Sequence, residues 1–205
     1  MHTLALMLLL ASSAPAETVE TAVQDDAPLS DQGRRFRFGG SLQLGLQTIA
    51  QTFAIDAELR FGMQATQWWS AYGLVRMHAG IGSLTCAAVG LAIEAMITNH
   101  FAFAVAPVLA YGSFFGLELM DDGRVFRNYF ERSGASFKPG FDVRIAVTTG
   151  RSRPPLFNRA GMSFALDLLG LVALDSGVTD GRGGITPTEP VWLFSPMLSI
   201  GVDFR

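Results

Sequence analysis

The sequence predicts an all-β fold, an eight-stranded antiparallel up-and-down transmembrane β-barrel, and three observations lead there. The last stretch, Val191 to Arg205, divides its side chains by strict alternation. Trp192, Phe194, Pro196, Leu198, Ile200, Val202 and Phe204 fall on one side; Val191, Leu193, Ser195, Met197, Ser199, Gly201 and Asp203 fall on the other. A strand turns successive side chains to opposite faces, whereas a helix brings i and i+4 together. The composition is 49% hydrophobic and only 16% charged with a mean hydropathy of +0.32, too apolar for an ordinary water-facing domain of 205 residues. Yet no run of about 18 apolar residues lacks a charge or a proline, so the hydrophobicity is dispersed rather than gathered in spanning helices. Finally, alternating segments recur eight times along the chain, an even number, as a barrel closed by antiparallel pairs throughout requires.

Residues 1–16 read as a secretory signal peptide, with Leu4 to Ala11 as its apolar core and Ala14-Pro15-Ala16 as the small-residue cleavage site; His2 stands where a basic residue is usual. Residues 17–33 are acidic, rich in Ala, Thr and Asp and without period, which suits a disordered lead. The barrel is assigned to residues 34–205.

Its first strand alternates Phe36, Phe38, Gly40, Leu42, Leu44 and Leu46 outward with Arg35, Arg37, Ser41, Gln43 and Gln47 inward. The second sets Phe53, Ile55, Ala57, Leu59, Phe61 and Met63 against Asp56, Glu58, Arg60 and Gln64. The third, Trp68 to Ala79, places Trp69, Ala71, Val75 and Met77 outward and Ser70, Tyr72, Arg76 and His78 inward. In the fourth, Leu84 to Ile97, Val89, Leu91, Ile93, Ala95 and Ile97 face out and Glu94 faces in. Its Ala, Leu and Met content favours helix, and only its neighbours argue for the sheet.

After a short turn at Thr98-Asn99-His100, the fifth strand alternates Phe101, Phe103, Val105, Pro107, Leu109 and Tyr111 with small residues. The alternation runs on through Phe115, Leu117 and Leu119 to Asp121-Asp122-Gly123, a tight-turn sequence, and returns through Val125 to Phe130. One tall hairpin is expected there, with Ser133-Gly134 as a bulge within it. The sixth strand carries Phe137, Phe141, Val143, Ile145 and Val147 outward and Lys138, Asp142 and Arg144 inward. Gly150 to Asn158, with two prolines, is a turn. The seventh has Met162, Phe164, Leu166, Leu168, Val172 and Leu174 outward and Asp167 inward, and Asp175 to Pro190 is a long Gly/Thr/Pro loop before the closing strand. Pro107 and Pro196 each remove a ladder hydrogen bond, so they are expected at bulges or near strand ends.

One register collects the aromatics into two girdles. Phe36, Phe38, Trp68, Trp69, Phe101, Phe103 and Phe204 lie at one edge, and Phe53, Tyr111, Phe137, Phe141, Trp192 and Phe194 at the other. This pattern, with an aromatic at position 204 near the end of a closing strand, resembles the small OmpA/OmpX-type bacterial outer-membrane barrels from about Arg35 to Phe204. Arg205 sets the match to their terminal signal off by one place. The resemblance implies an outer-membrane location after signal cleavage, a lead on the periplasmic side, contact with outer-membrane lipid, and insertion by the barrel-assembly machinery. It implies no particular activity and no surface partner.

A net charge of −3 and a pI near 5.6 give nucleic-acid binding no electrostatic support. The single cysteine, Cys86, cannot form an internal disulfide and has no metal-ligand spacing around it; it reads as a small core residue, and no cofactor or metal site is expected. Inside an eight-stranded barrel the side chains just fill the space. Asp56, Glu58, Glu94, Asp142, Asp167 and Asp203 are expected there against Arg35, Arg37, Arg60, Arg76, Lys138 and Arg144, and mixed buried charges should pair. Asp56, Glu58, Arg60, Arg76, Asp142, Arg144 and Asp167 are the expected salt-bridge network, with Arg144 and Asp167 adjacent at mid-depth. The reading that follows is a structural or surface-interaction protein with a plugged lumen. A narrow gated channel is the alternative, although a pore would more naturally carry a ring of one sign.

A lipid-modifying hydrolase is the less favoured third possibility. His78 with Asp56 or Glu58 is its only inward constellation, and Ser70 lies about 26 Å along the strand from His78, too far for proton transfer. Asp180-Gly181-Arg182-Gly183-Gly184 lacks the Lys-Ser/Thr of a phosphate loop. A helical membrane protein built from Leu84 to Leu119 and Ser163 to Leu174 is the competing architecture, and Glu94, Pro107 and Asp167 weigh against it.

Overall fold

A computed structural model gives the fold and describes residues 35–47, 52–65, 68–80, 83–98, 100–119, 126–149, 160–179 and 185–204. The signal and lead assigned to residues 1–33, Asp121-Asp122-Gly123, Gly150 to Asn158, Asp180 to Gly184 and Arg205 lie outside them. The strands are β1 (Arg35–Gln47), β2 (Thr52–Gln64), β3 (Trp69–Gly80), β4 (Leu84–Met96), β5 (Phe101–Leu119), β6 (Phe126–Glu131), β7 (Ser136–Thr148), β8 (Ala160–Ala173), β9 (Ser176–Thr179), β10 (Ile185–Pro187) and β11 (Val191–Phe204).

Eight of them form the barrel. Neighbours in sequence pair antiparallel from β1 to β5, β5 then pairs β7, β7 pairs β8, β8 pairs β11, and β11 returns to β1. The closing seam runs from Phe38↔Phe204 to Gly45↔Met197. Alternation, and not β-propensity, decides β4: its burial switches at nearly every residue, with Cys86, Ala88, Ala92 and Glu94 inside and Thr85, Ala87, Val89, Leu91 and Ile93 outside. The helical alternative fails because both of its segments are strands.

The remaining strands stand beyond one end of the wall. Pairing of β5 with β7 stops at Gly112↔Ser136, and from Phe115↔Phe130 to Leu119↔Phe126 β5 pairs with β6 instead. The expected tall hairpin is therefore only half of this extension. The segment from Asp175 to Pro190, read from sequence as an irregular loop, contributes β9 to the free side of β6 and β10 to the free side of β9. Three- and four-residue strands are too short for a period to register. Ser133-Gly134 is not a bulge: β6 ends at Glu131, and a turn follows in which Gly134 takes φ +78°, a left-handed conformation suited to glycine. The Ser133 N–H donates to Asp175 Oδ2 at 3.1 Å, tying that turn to the end of β8.

The prolines are accommodated without bulges. Pairing of β1 with β11 ends one residue short of Pro196. Pro107 lies in mid-strand opposite a gap in the β4–β5 ladder, with the same register on both sides of it. Elsewhere the wall is close-packed. The ring of Phe141 lies over Gly170, its opposite number on β8, where a Cβ would come within 2.6 Å of it.

Candidate functional site in the barrel interior

Because successive side chains alternate, every second residue of each strand enters the barrel, and its depth is set by register. The start of β1 and the end of β11 lie at one end of the barrel, the terminal end, and the extension stands at the other, the loop end. Near the terminal end Arg37 donates from Nη1 to Ser70 Oγ at 2.8 Å and pairs with Glu94, while its guanidinium lies 5.0 Å from the centroid of Tyr72. Asp203, from the closing strand, sits 3.7 Å from Arg37 and 3.4 Å from Arg60. The closing strand thus brings its carboxylate to one arginine of β1 and one of β2.

At mid-depth the network is densest. Arg76 Nε donates to Glu58 Oε2 at 3.0 Å, and Arg76 Nη1 lies 2.9 Å from Asp142. Asp167 and Asp56 approach the same guanidinium at 3.7 and 3.8 Å. Arg60 Nε is 3.2 Å from the other Glu58 oxygen, and Arg144 is 3.7 Å from it. Arg144 Nη1 also donates to both oxygens of Asp167, at 3.0 and 3.1 Å. All of these side chains are buried, Arg76 and Asp167 completely. Space for them comes from β4 and β5, which stand between β3 and β7 and present Ala88, Ala92, Ala104, Ala106 and Ala110.

Toward the loop end the interior changes character. Asp56 Oδ1 lies 2.6 Å from His78 Nδ1, and His78 Nε2 faces Gln47 Oε1 at 3.2 Å. Ser83 Oγ also donates to that Gln47 oxygen, at 3.3 Å. Beside this polar row, Leu84, Phe114, Leu169, Leu171 and Leu193 pack together as an apolar cap. Lys138 closes the rim: its Nζ donates to the Gly112 carbonyl and to Glu131 Oε2, both at 2.6 Å.

The sequence-derived network of Asp56, Glu58, Arg60, Arg76, Asp142, Arg144 and Asp167 is brought together as one contiguous group, and Arg37, Glu94 and Asp203 extend it. Arg35 is on β1 at the terminal end, and its side chain is outside the described set. Sequence reasoning missed Glu131, which belongs to the extension but turns back to hold Lys138, and it missed the leucine cap. Parity with Asp167 already placed Leu169 and Leu171 inside, so the cap had a signal; Glu131 had none.

Phe36, Phe38, Trp68, Trp69, Phe103 and Phe204 are exposed on the outside of the terminal end, where Phe101 is half-buried; Trp192 is exposed and Phe194 half-buried at the loop end. Trp192 and Phe194 stack at 5.8 Å, and Phe141 lies 6.4 Å from each.

Chemically, the interior is arranged for charge neutralisation. Glu58, Asp142 and Asp167 each offer an oxygen within 4.8 Å of the others, but Arg76 and Arg144 enter the same space and supply the positive charge there. Asp56 and His78 are spaced as a carboxylate–imidazole pair, the arrangement with which a hydrolase relay would begin. The free ring nitrogen, however, faces an amide oxygen rather than a nucleophile, and Ser70 is engaged by Arg37 near the opposite end. Compared with known proteins, the chain matches no family model, and the search of curated proteins finds no match.

Proposed function

We propose that the chain is a bacterial outer-membrane protein, delivered by cleavage of its signal peptide, whose barrel is plugged by its own paired charges and whose extension serves a structural or surface-interaction role. The observation that carries this reading is an inverted distribution of polarity. Leu91, Leu198 and Phe36 are 73%, 70% and 70% exposed, whereas Arg37, Arg60, Arg76, Arg144, Asp56 and Glu58 are at most 2% exposed. Isolated exposed leucines are ordinary, but an apolar band on strand after strand with the charges inside fits lipid as the surrounding medium. The small OmpA/OmpX-type barrels, which the strand pattern resembles, share this arrangement. In such a setting the protein meets outer-membrane lipid on its wall and reaches its place through the barrel-assembly machinery.

The test is electrophoretic mobility of the membrane-extracted protein with and without boiling, followed by bilayer conductance. A shift on boiling with no open-channel current is the expected outcome. Equal mobility would sink the membrane barrel, and steady single-channel current would replace the plug with a narrow channel gated within the Glu58–Arg76–Arg144 cluster.

A further inference from the structure

One hydrogen bond is missing from the middle of the wall. Pairing of β4 with β5 runs from Leu84↔Phe114 to Gly90↔Val108 and resumes in the same register at Ile93↔Val105, omitting Leu91 with Pro107 and Ala92 with Ala106. Both omitted pairs depend on the same bond, from the N–H of residue 107 to the Leu91 carbonyl, and proline has no N–H. Leu91 O therefore lacks its ladder donor. On the outside of this gap lies a groove of about 490 Å3, lined by Val89, Gly90, Leu91, Pro107, Val108 and Leu109. Behind it, on the lumen side, the backbones are close: a Cβ at Gly90 would meet the Pro107 carbonyl at 2.7 Å and the buried Val108 Cγ1 at 2.8 Å. The groove sits between the exposed rings of Phe103 and Tyr111 on β5, halfway along the apolar band.

We propose that this groove binds an alkyl chain carrying a hydroxyl near its middle, with the hydroxyl donating to Leu91 O. The inference rests on the membrane reading above. In hydrocarbon an unsatisfied backbone carbonyl is costly and water is excluded, so the missing donor must arrive on an apolar body. The groove's apolar lining, its volume within the range of small-ligand pockets, and its single orphaned acceptor at mid-depth select that chemistry.

Isothermal titration of the full chain in phospholipid nanodiscs, with empty discs subtracted, compares 12-hydroxyoctadecanoate with octadecanoate. The hydroxylated chain should bind saturably and about fivefold more tightly, the worth of one added hydrogen bond. Pro107→Ala, which restores the N–H, should abolish the preference, and Leu109→Trp, which fills the groove, should abolish saturable binding of both. Equal affinities in the unaltered chain, or a preference that survives either substitution, would overturn the proposal. A chain that neither enters the discs nor shifts on boiling would overturn the membrane reading itself.

Discussion

Arg144 and Asp167 are directly opposed on β7 and β8, and one Arg144 Nη1 donates to both Asp167 carboxylate oxygens inside the barrel. Truncating one partner strands the other in a medium that cannot solvate it. Arg144→Ala should destabilise the barrel by about 3 kcal/mol, and Arg144→Met with Asp167→Leu by distinctly less, because the pair leaves together. Urea unfolding in detergent micelles measures both. An Arg144→Ala barrel unchanged in stability and in single-channel conductance would remove the pair from the plug.

Arg76 is the more connected group, with Asp56, Glu58, Asp142 and Asp167 all within 3.8 Å of it. Its replacement leaves several carboxylates facing one another. Arg76→Leu should therefore cost about 3–5 kcal/mol, exceed the effect of Arg144→Ala, and raise conductance by loosening the centre of the lumen. A smaller loss than that of Arg144→Ala contradicts the ranking.

Leu198 lies midway along β11 and is 70% exposed. On a water-facing surface Leu198→Arg would change stability by no more than about 0.5 kcal/mol. At the centre of a bilayer it should cost about 2–4 kcal/mol. Folding of both forms into phospholipid vesicles separates these cases, and equal folding free energies would argue against lipid on this face.

Glycine tolerance should follow what each Cβ would meet. A side chain at Gly140 would come within 2.0 Å of the Gly170 carbonyl, which is backbone and cannot step aside, whereas one at Gly40 meets nothing nearer than Leu59 Cδ2 at 3.4 Å. Gly140→Ala should lose about 1–3 kcal/mol and Gly40→Ala at most about 0.5 kcal/mol. Thermal scans of the two single variants decide the point; similar losses would mean that the wall yields at β7–β8.

Most of the wall was legible because a single rule, alternation, assigns every residue of a strand to a face. That rule put Arg76, Arg144 and Asp167 inside and Leu91 and Leu198 outside without any knowledge of partners. It could not say that Arg76 would gather four carboxylates, because parity fixes the face while register fixes the depth, and register is a property of two strands. It could not find β9, which pairs with β6 from Asn128↔Thr179 to Glu131↔Ser176, or β10, which pairs with β9. Pro107 departs from expectation for a related reason: a proline in a closed wall suggests a bulge or a strand end, whereas here, in mid-strand, the wall keeps its register and gives up one bond.

The attachment of β9 to β6 has a mechanical consequence. Along the wall, β7 and β8 are held in register by their own ladder from Gly140↔Leu171 to Thr148↔Ser163. Above the rim, the segments leading into and out of those same strands are held again, from Asn128↔Thr179 to Glu131↔Ser176. Sliding β8 past β7 by even one pair would have to break both ladders at once. The extension thus works as a splint that fixes the shear of the barrel at this seam, so severing it should let β7 and β8 slip while the β1–β11 seam holds.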